Sequence, residues 1–237
     1  NFLKQIDTTL HKQYVFEKFK EGKTGKASII EEPKFNFKKP VFRQKLDLPK
    51  ASEIPVAKKY LEKRKLDPTQ FYFTNKFKQW VNTKKQTFDT IGRDESRIII
   101  PMYDTERNLI GFQGRSLGPN SVKYITVMLN EEAPKVYGMD RIDTEKSVYV
   151  VEGPFDSTFV ENSIALCGSD GDVEYLKAYD LIYAYDNEPR NQEIVNRIER
   201  CIKDNKRVVI WPRGIVEKDI NDMILSGHDI MSVLKSN

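Results

Sequence analysis

The sequence is poor in the residues that bind transition metals or form disulfides. Its 237 residues include two cysteines and two histidines. Cys167 and Cys201 lie in separate segments without CxxC or Cys/His spacing, so the sequence indicates neither a zinc site nor a disulfide framework. We expect both thiols to be buried apolar residues. His11 and His228 lie in polar surroundings near opposite ends, which favours surface residues over an imidazole-based catalyst.

Long apolar segments and a nucleotide-hydrolysis motif are also missing. The longest apolar runs, such as VYVVEG and RIIIPMY, are far too short to cross a bilayer, and no signal-peptide pattern opens the chain. We therefore expect a cytoplasmic protein with no membrane partner. GKTGK at residues 22–26 resembles a phosphate loop, but the first glycine of that motif would fall on Glu17, within a helical pattern. The sequence thus shows no NTP-driven motor, and because it begins at Asn1 rather than Met we expect an upstream segment.

Charge is divided unevenly along the chain. Residues 1–146 contain 29 Lys+Arg and 19 Asp+Glu, a net charge of +10, whereas residues 147–237 contain 10 and 16, a net charge of −6. A basic half followed by an acidic half is typical of a polyanion-binding surface beside a site that concentrates carboxylates. Two solvated domains with drifting charge would give the same counts.

The basic half divides into an arm and a subdomain. Apolar residues at helical spacing predict a helix over 2–19, followed by a Lys/Pro-rich linker that ends near residue 50. Residues 52–66 predict a short helix. Residues 71–88 interleave aromatics with lysines, which fits either single-stranded nucleic acid or the core and wet face of a small domain. We predict that the chain is organised in three segments, residues 1–50, 51–146 and 147–237.

Strand patterns begin at Arg97. RIIIPMYD and LIGFQGR, joined by a turn at DTERN, predict a hairpin, and residues 123–127 and 135–138 predict two further strands of a small antiparallel sheet. In the acidic half, strands are predicted at 148–151, 163–167, 181–185 and 207–211, and helices at 155–162, 173–178 and 190–204. Short apolar strands that alternate with helices indicate a parallel sheet with both faces covered.

Carboxylates follow three of these strands. Glu152 ends the first, Asp186 and Glu188 end the third, and Asp219 and Asp222 follow the fourth. The carboxyl ends of parallel strands share one edge, so these side chains should meet there. Crowded carboxylates repel one another unless cations neutralise them, and an all-oxygen set without His or Cys favours Mg²⁺ or Mn²⁺. For any single carboxylate, a helix cap or a surface charge is the simpler interpretation.

The motifs resemble a known family. VEGPFDS, YDNE and KDIND are similar to the three signature blocks of a Toprim domain, and RIIIPMYDTERNLIGFQGRSL, VKYITV and APKVYGMDRI resemble the basic subdomain that precedes it in DNA primases of the bacterial and phage type. The residues of these motifs are most similar to those of the stand-alone primases of T-even-like phages. The resemblance covers roughly residues 97–225. It departs from the family in lacking the zinc-binding domain and in placing Glu188 where many Toprim proteins have a second Asp.

This resemblance implies an α/β fold, with an α+β N-terminal subdomain and a Toprim domain whose central parallel sheet is flanked by helices. It implies template-directed synthesis of short RNA primers on single-stranded DNA, with ribonucleoside triphosphates as substrates, a separate hexameric replicative helicase as partner and, if phage-encoded, the host cytoplasm as location. Two or more Mg²⁺ or Mn²⁺ ions, and no zinc, would serve as cofactors.

The resemblance also implies roles for individual residues. The metal ligands would be Glu152, Asp186, Glu188, Asp219 and Asp222, the first three being catalytic. The nucleotide and template contacts would be Arg97, Arg115, Lys123, Lys135 and Asp156. Lys123 and Lys135 are equally compatible with ordinary charge at a sheet edge, and Asp156 with a residue that orients the helix after Gly153.

Two other functions remain open from the sequence. A Toprim nuclease would carry the same acidic edge and would cleave DNA in the presence of Mg²⁺. A non-catalytic module that binds single-stranded DNA or recruits a helicase would retain binding without synthesis.

Overall fold

The chain forms two units, residues 1–41 and residues 42–237. The computed structural model describes residues 7–20, 46–119, 122–168 and 174–236. In the first unit, helix α1 (Thr8–Lys20) begins where the Asp7 carboxylate accepts hydrogen bonds from the backbone N–H groups of Thr9 and Leu10, at 2.8 and 3.1 Å. The predicted N-terminal helix is thus present, whereas most of the predicted Lys/Pro-rich linker lies outside the described residues.

Four strands of the second unit form an antiparallel sheet. They are β1 (Tyr72–Thr74), β2 (Arg97–Tyr103), β3 (Leu109–Ser116) and β4 (Tyr124–Met128), in the order β1-β2-β3-β4. The turn between β2 and β3 is closed by the Asp104 carboxylate, which accepts hydrogen bonds from the backbone N–H groups of Glu106 and Asn108 at 2.9 and 2.8 Å. The predicted hairpin is confirmed.

Two helices flank this sheet. Helix α2 (Pro55–Lys63) starts with proline, whose fixed φ suits a first turn, and helix α3 (Phe77–Lys84) follows β1. Phe71, Phe73 and Phe77 are buried. The aromatics of residues 71–77 therefore form core, as one of the two interpretations of that segment required.

The other four strands form a parallel sheet. They are β5 (Val148–Val151), β6 (Ser163–Ala165), β7 (Leu181–Ala184) and β8 (Arg207–Val208), in the order β6-β5-β7-β8. The predicted parallel sheet is confirmed. Its helices are α4 (Pro154–Ser157), α5 (Gln192–Lys203), α6 (Ile220–Ser226) and α7 (Ile230–Lys235), and a 3-10 helix covers Glu174–Ala178.

The two sheets of the second unit share one hydrophobic core. Ile98 and Met102 of β2 belong to the same buried cluster as Val151 and Phe155 of the parallel-sheet region. The rings of Phe71 and Phe155 meet edge to face at 5.4 Å between centroids. A continuous core fixes the basic side chains of the antiparallel sheet relative to the acidic edge of the parallel sheet.

Some predicted elements differ in extent. Residues 135–138 form a single antiparallel bridge, Tyr137 to Ala165, rather than a strand, because Pro134 precedes them and Gly138 has a φ of +94°. The helix expected at 155–162 ends at Ser157. Cys167 and Cys201 are buried, as expected. Within the described residues no helix is long and apolar enough to cross a membrane.

Candidate active site

Two carboxylates are placed by neighbouring parallel strands. Val151 of β5 lies opposite Ala184 of β7, so Glu152 and Asp186, which follow these strands, emerge side by side. The backbone amide of Asp186 lowers the pKa of the Glu152 carboxylate, against the larger and opposite effect of burial. The two apolar strands, each followed by a carboxylate, therefore bring Glu152 and Asp186 to one edge of the parallel sheet.

Two more carboxylates come from helices at the same edge. Asp219 is the N-cap of α6, where its side chain accepts a hydrogen bond from the backbone N–H of Asp222 at 2.8 Å. Asp156 lies in α4, and its Oδ1 accepts a hydrogen bond from the backbone N–H of Asn221 at 2.9 Å. A side chain at position 153 would place its Cβ 2.6 Å from Asp156 Oδ2, so Gly153 is what lets this carboxylate turn inward.

These carboxylates face cations across a cleft of about 210 Å³. The lining residues are Arg64, Arg115, Lys123, Tyr124, Glu152, Gly153, Phe155, Asp156, Asp186, Asp219 and Asn221. The acidic wall is supplied by the parallel-sheet region and the cationic wall by the antiparallel-sheet region. In this cleft the basic half of the sequence supplies the three cations and the acidic half supplies the four carboxylates.

Burial and mutual repulsion perturb the acidic wall. Burial, and then the charge of Glu152, raise the pKa of Asp186 to about 8. Burial, and then the charge of Asp219, raise the pKa of Asp156 to about 7. Burial also raises the pKa of Glu152, although Arg197 opposes this. The protein alone does not neutralise this wall.

The acidic wall has the donor chemistry of a site for hard divalent cations. Glu152 Oε1 is buried and has no hydrogen-bond partner in the described part of the chain, which is costly unless a ligand uses it. The other carboxylates of the cleft, Asp156, Asp186 and Asp219, offer oxygen, the donor that Mg²⁺ and Mn²⁺ prefer. No three Asp, Glu, His or Cys side chains among the described residues are grouped closely enough to hold an ion as they stand. The fit therefore rests on donor chemistry and on the unpartnered oxygen.

Glu188 and Asp222, predicted as ligands with the other three, do not line this cleft. Glu188 Oε1 lies 3.1 Å from Lys218 Nζ, and this hydrogen-bonded ion pair lowers the pKa of Glu188. Asp222 is exposed on the first turn of α6. Sequence distance from Asp186 and Asp219 could not distinguish the carboxylates that turn inward from those that turn outward.

The cationic wall is held by aromatic side chains. Arg115 Nε donates to the Tyr60 hydroxyl at 2.9 Å, and its guanidinium lies 4.7 Å from the centroid of the Tyr124 ring. Lys123 Nζ lies 5.8 Å from the same centroid. Arg115 is thus held by two aromatic side chains at the cleft, and Lys123 lies beside the ring of one of them.

Two predicted contacts lie elsewhere. Arg97 has no exposed surface, donates from one terminal nitrogen to the Gly114 carbonyl at 2.7 Å and pairs with Glu95. Its guanidinium lies 5.2 Å from the centroid of the Phe77 ring. Lys135 is exposed and does not line the cleft. The structure therefore gives Arg97 a place in the core of the antiparallel-sheet region and brings neither cation to the carboxylates.

The sequence analysis missed Arg64 and Asn221. Arg64 directly follows α2, and its guanidinium nitrogen donates to Asn221 Oδ1 at 2.8 Å, while Asn221 Nδ2 donates to the Arg64 carbonyl at 2.8 Å. Asn221 thereby links the cationic wall to Asp156. The basic run KRK at 63–65 could have suggested a cation here. Its contact with a helix more than 150 residues later could not be predicted from residue spacing.

The chain is similar to proteins of one kind throughout. It is 33% identical over 253 aligned positions to the DNA primase of Enterobacteria phage T4, an alignment that spans the whole chain and 73% of that relative. No family model matches. The chain therefore belongs to the DNA primase family. Members of this family synthesise RNA primers, which makes the chain a nucleotidyltransferase by class.

Solved primase structures share the fold. The RNA polymerase domain of Mycobacterium tuberculosis primase DnaG superposes with a TM-score of 0.60 at 18% identity, covering 79% of this chain and 79% of that one. A DnaG primase catalytic domain bound to single-stranded DNA gives a TM-score of 0.57 at 19% identity, covering 80% and 74%. The antiparallel sheet followed by a parallel sheet is thus the fold of the primase catalytic core.

Proposed function

We propose that the cleft between the two sheets is the primase active site, in which Glu152, Asp186 and Asp219 hold divalent cations, Mg²⁺ or Mn²⁺. The observation that carries this assignment is one cleft with a buried carboxylate wall opposite an oriented cationic wall. Divalent cations bound there would neutralise the triphosphate and lower the pKa of an attacking hydroxyl. The reaction joins a 3′-hydroxyl to the α-phosphate of an incoming ribonucleotide and expels pyrophosphate.

The residues of the cationic wall would bind the phosphates. Arg115 offers a planar fork of donors whose stem is already fixed by Tyr60 and Tyr124, so less rotational freedom is lost on binding. Lys123 would add a second positive charge, and Arg64 a third. Asp156 would act as a positioning residue, because its carboxylate accepts the backbone N–H of Asn221 and so holds the start of α6 against the cleft.

The substrates follow from the family and the charge. We infer that the template is single-stranded DNA, as in the related catalytic domain bound to it, and that ribonucleoside triphosphates supply the primer. A separate helicase would unwind the duplex, since the sequence carries no phosphate-loop motif for a motor of its own. The predicted boundary near residue 146 remains part of the proposal, with the two sheets as its subdomains.

The test is primer synthesis by matched variants. Wild type and Asp186→Asn are mixed with single-stranded DNA, Mg²⁺ and labelled ribonucleotides, and products are resolved on a denaturing gel. Asp204→Asn, which changes an exposed carboxylate at the end of α5, is the control. Short template-dependent RNA from wild type and Asp204→Asn, with none from Asp186→Asn, supports the proposal. Shortened DNA would favour a nuclease, and DNA binding without any product would favour a binding module.

A further inference from the structure

A second pocket opens between the loops that follow β7 and β8. It has a volume of about 720 Å³, and its walls include Glu188, Arg190, Trp211, Arg213, Ile215 and Val216. Glu188 follows Asp186 by two residues, and its charge is felt at Glu152. The pocket therefore adjoins the carboxylate edge, and none of its residues has a role in the active site described above.

Hydrogen bonds fix the walls of this pocket. The backbone N–H of Asn187 donates to the Lys218 carbonyl at 2.6 Å, and its side-chain nitrogen donates to the carbonyls of Ile215 and Glu217 at 2.9 and 3.0 Å. Trp211 Nε1 donates to the Tyr185 carbonyl at 2.8 Å. One residue thus ties the two loops together, and the indole is anchored by its nitrogen, so the pocket is formed before any ligand arrives.

The chemistry of the walls is apolar and cationic at once. Trp211 offers an aromatic ring, Val216 is 85% exposed, and Arg190 and Arg213 are both exposed. Neither guanidinium forms an ion pair with a carboxylate of the described residues. The negative charge of Glu188 is already matched by Lys218. The pocket therefore presents an uncompensated positive charge around an aromatic surface.

We propose that this pocket is a binding site for the single-stranded DNA template, with a base stacked on Trp211 and the flanking phosphates on Arg190 and Arg213. The inference rests on the proposed function, because it extends the path of the strand beyond the catalytic cleft. Stacking on an aromatic ring tolerates every base, and Arg side chains add contacts to phosphate, which suits a strand that must be held at many sequences. The template must also be bound before any RNA exists.

The volume of the pocket and the position of its two arginines favour a nucleic-acid strand over a single nucleotide as the ligand. Its volume of about 720 Å³ exceeds that of the cleft, about 210 Å³, and its two cations belong to different loops. A polymer can place successive phosphates on both. A protein partner would leave two arginines to be neutralised by acidic groups, whereas a nucleic-acid backbone supplies a negative charge at every step.

Tryptophan fluorescence tests the contact directly. The sequence contains two tryptophans, so Trp80→Phe leaves Trp211 as the one indole emitter. Adding an oligodeoxynucleotide of about 12 residues, without NTPs, should quench this emission in a saturable way. An equal oligoribonucleotide is the comparison. Absence of quenching by DNA, whether or not the RNA quenches, would overturn the proposal.

Affinity measurements with charge variants complete the test. Arg190→Gln and Arg213→Gln together should weaken DNA binding by roughly tenfold and reduce the slope of log affinity against log salt by about 1.4, since each phosphate contact on a single strand contributes about 0.7. Arg200→Gln, on the exposed side of α5, is the matched control and should leave both unchanged. Trp211→Ala should weaken binding about tenfold or more and Trp211→Phe less, since Phe retains a stacking surface. Unchanged affinity in the double Arg variant would overturn the proposal.

The same preparations separate this inference from the proposed function. If wild type makes primers while the Arg and Trp variants bind DNA like wild type, the second pocket is not a template site and the active site stands. If the variants bind DNA weakly as predicted while wild type makes no primer under any metal, the template site is supported and the catalytic assignment fails.

Discussion

The two walls of the cleft differ in how far the protein itself satisfies them. On the cationic wall, Arg115 is held by Tyr60 and Tyr124, and Arg64 is held by Asn221. On the acidic wall, the pKa of Asp186 is raised to about 8 by burial and by Glu152, and Glu152 Oε1 is left without a hydrogen bond in the described residues. The cationic wall is therefore held by contacts within the protein, whereas the acidic wall keeps raised pKa values and an unpartnered carboxylate oxygen, as the proposed cation site would lead us to expect.

Removing a carboxylate from the incomplete wall should have the largest effect on activity. Asp186→Asn should reduce primer synthesis on the order of 100-fold or more, because losing even an indirect contact to a metal costs 10- to 100-fold. Steady-state synthesis on a single-stranded template measures the loss. Synthesis within about threefold of wild type, in a variant with an unchanged circular dichroism spectrum, would contradict the proposed difference between the acidic and cationic walls.

Changing the complete wall should have a smaller effect, mainly on binding. Arg115→Lys retains the charge but loses the planar fork and the stacking on Tyr124, so the affinity for nucleotide should fall about tenfold. The dissociation constant for an NTP, measured by fluorescence or calorimetry with Mg²⁺ present, gives the value. Arg107→Lys, at an exposed turn, is the control, and equal affinity in both variants would show that the stacking is unimportant.

Breaking the link between the walls should cost stability as well as activity. Asn221→Ala removes the hydrogen bonds to the guanidinium and to the carbonyl of half-buried Arg64, which should lower the free energy of unfolding by about 1–3 kcal/mol. Thermal or urea unfolding measures the change. Asn196→Ala, which removes an exposed hydrogen bond to Gln192 on α5, should change it by less than about 0.5 kcal/mol. An equal cost in both variants would mean that the link carries no stability.

Removing the metal should make stability depend on pH, because the carboxylates of the acidic wall then repel one another. In EDTA, folded Asp186 has a pKa of about 8, whereas an unfolded Asp has a pKa of about 4. The folded state then holds the extra proton between these values, so stability should fall as pH rises from 5 to 8. In Asp186→Asn, stability should fall less over this pH range. Mg²⁺ should raise the melting temperature of wild type but not that of Asp186→Asn. Parallel pH profiles of the two proteins in EDTA would contradict this origin.

The sequence predicted the elements better than the contacts between them. The hairpin of β2 and β3 follows from its strand and turn residues, and the parallel sheet of β5 to β8 follows from short apolar strands that alternate with helices; both are local signals. Asp186 lines the cleft, whereas Glu188 lies outside it and forms an ion pair with Lys218. That pairing is set by the packing of the loop after β8, which no local pattern specifies.

The basic residues show the same limit. Arg97 and Arg115 both occur in strongly apolar strands that pair with each other, and nothing in their neighbourhood distinguishes them. The structure buries the first against Phe77 and Glu95 and turns the second toward the cleft. Arg64 reaches the same cleft from a helix far away in sequence. Long-range packing, not residue type, decides which cations face the carboxylates.

The central claim is that the carboxylates of the acidic wall hold divalent cations opposite the cationic wall. Anomalous diffraction from crystals soaked in Mn²⁺ tests it most directly, because manganese is located without reference to activity. We expect anomalous peaks between Glu152, Asp186 and Asp219, with reduced occupancy in Asp186→Asn. Manganese bound only at Glu188 or Asp222, or none at the cleft under conditions that support synthesis, would contradict it.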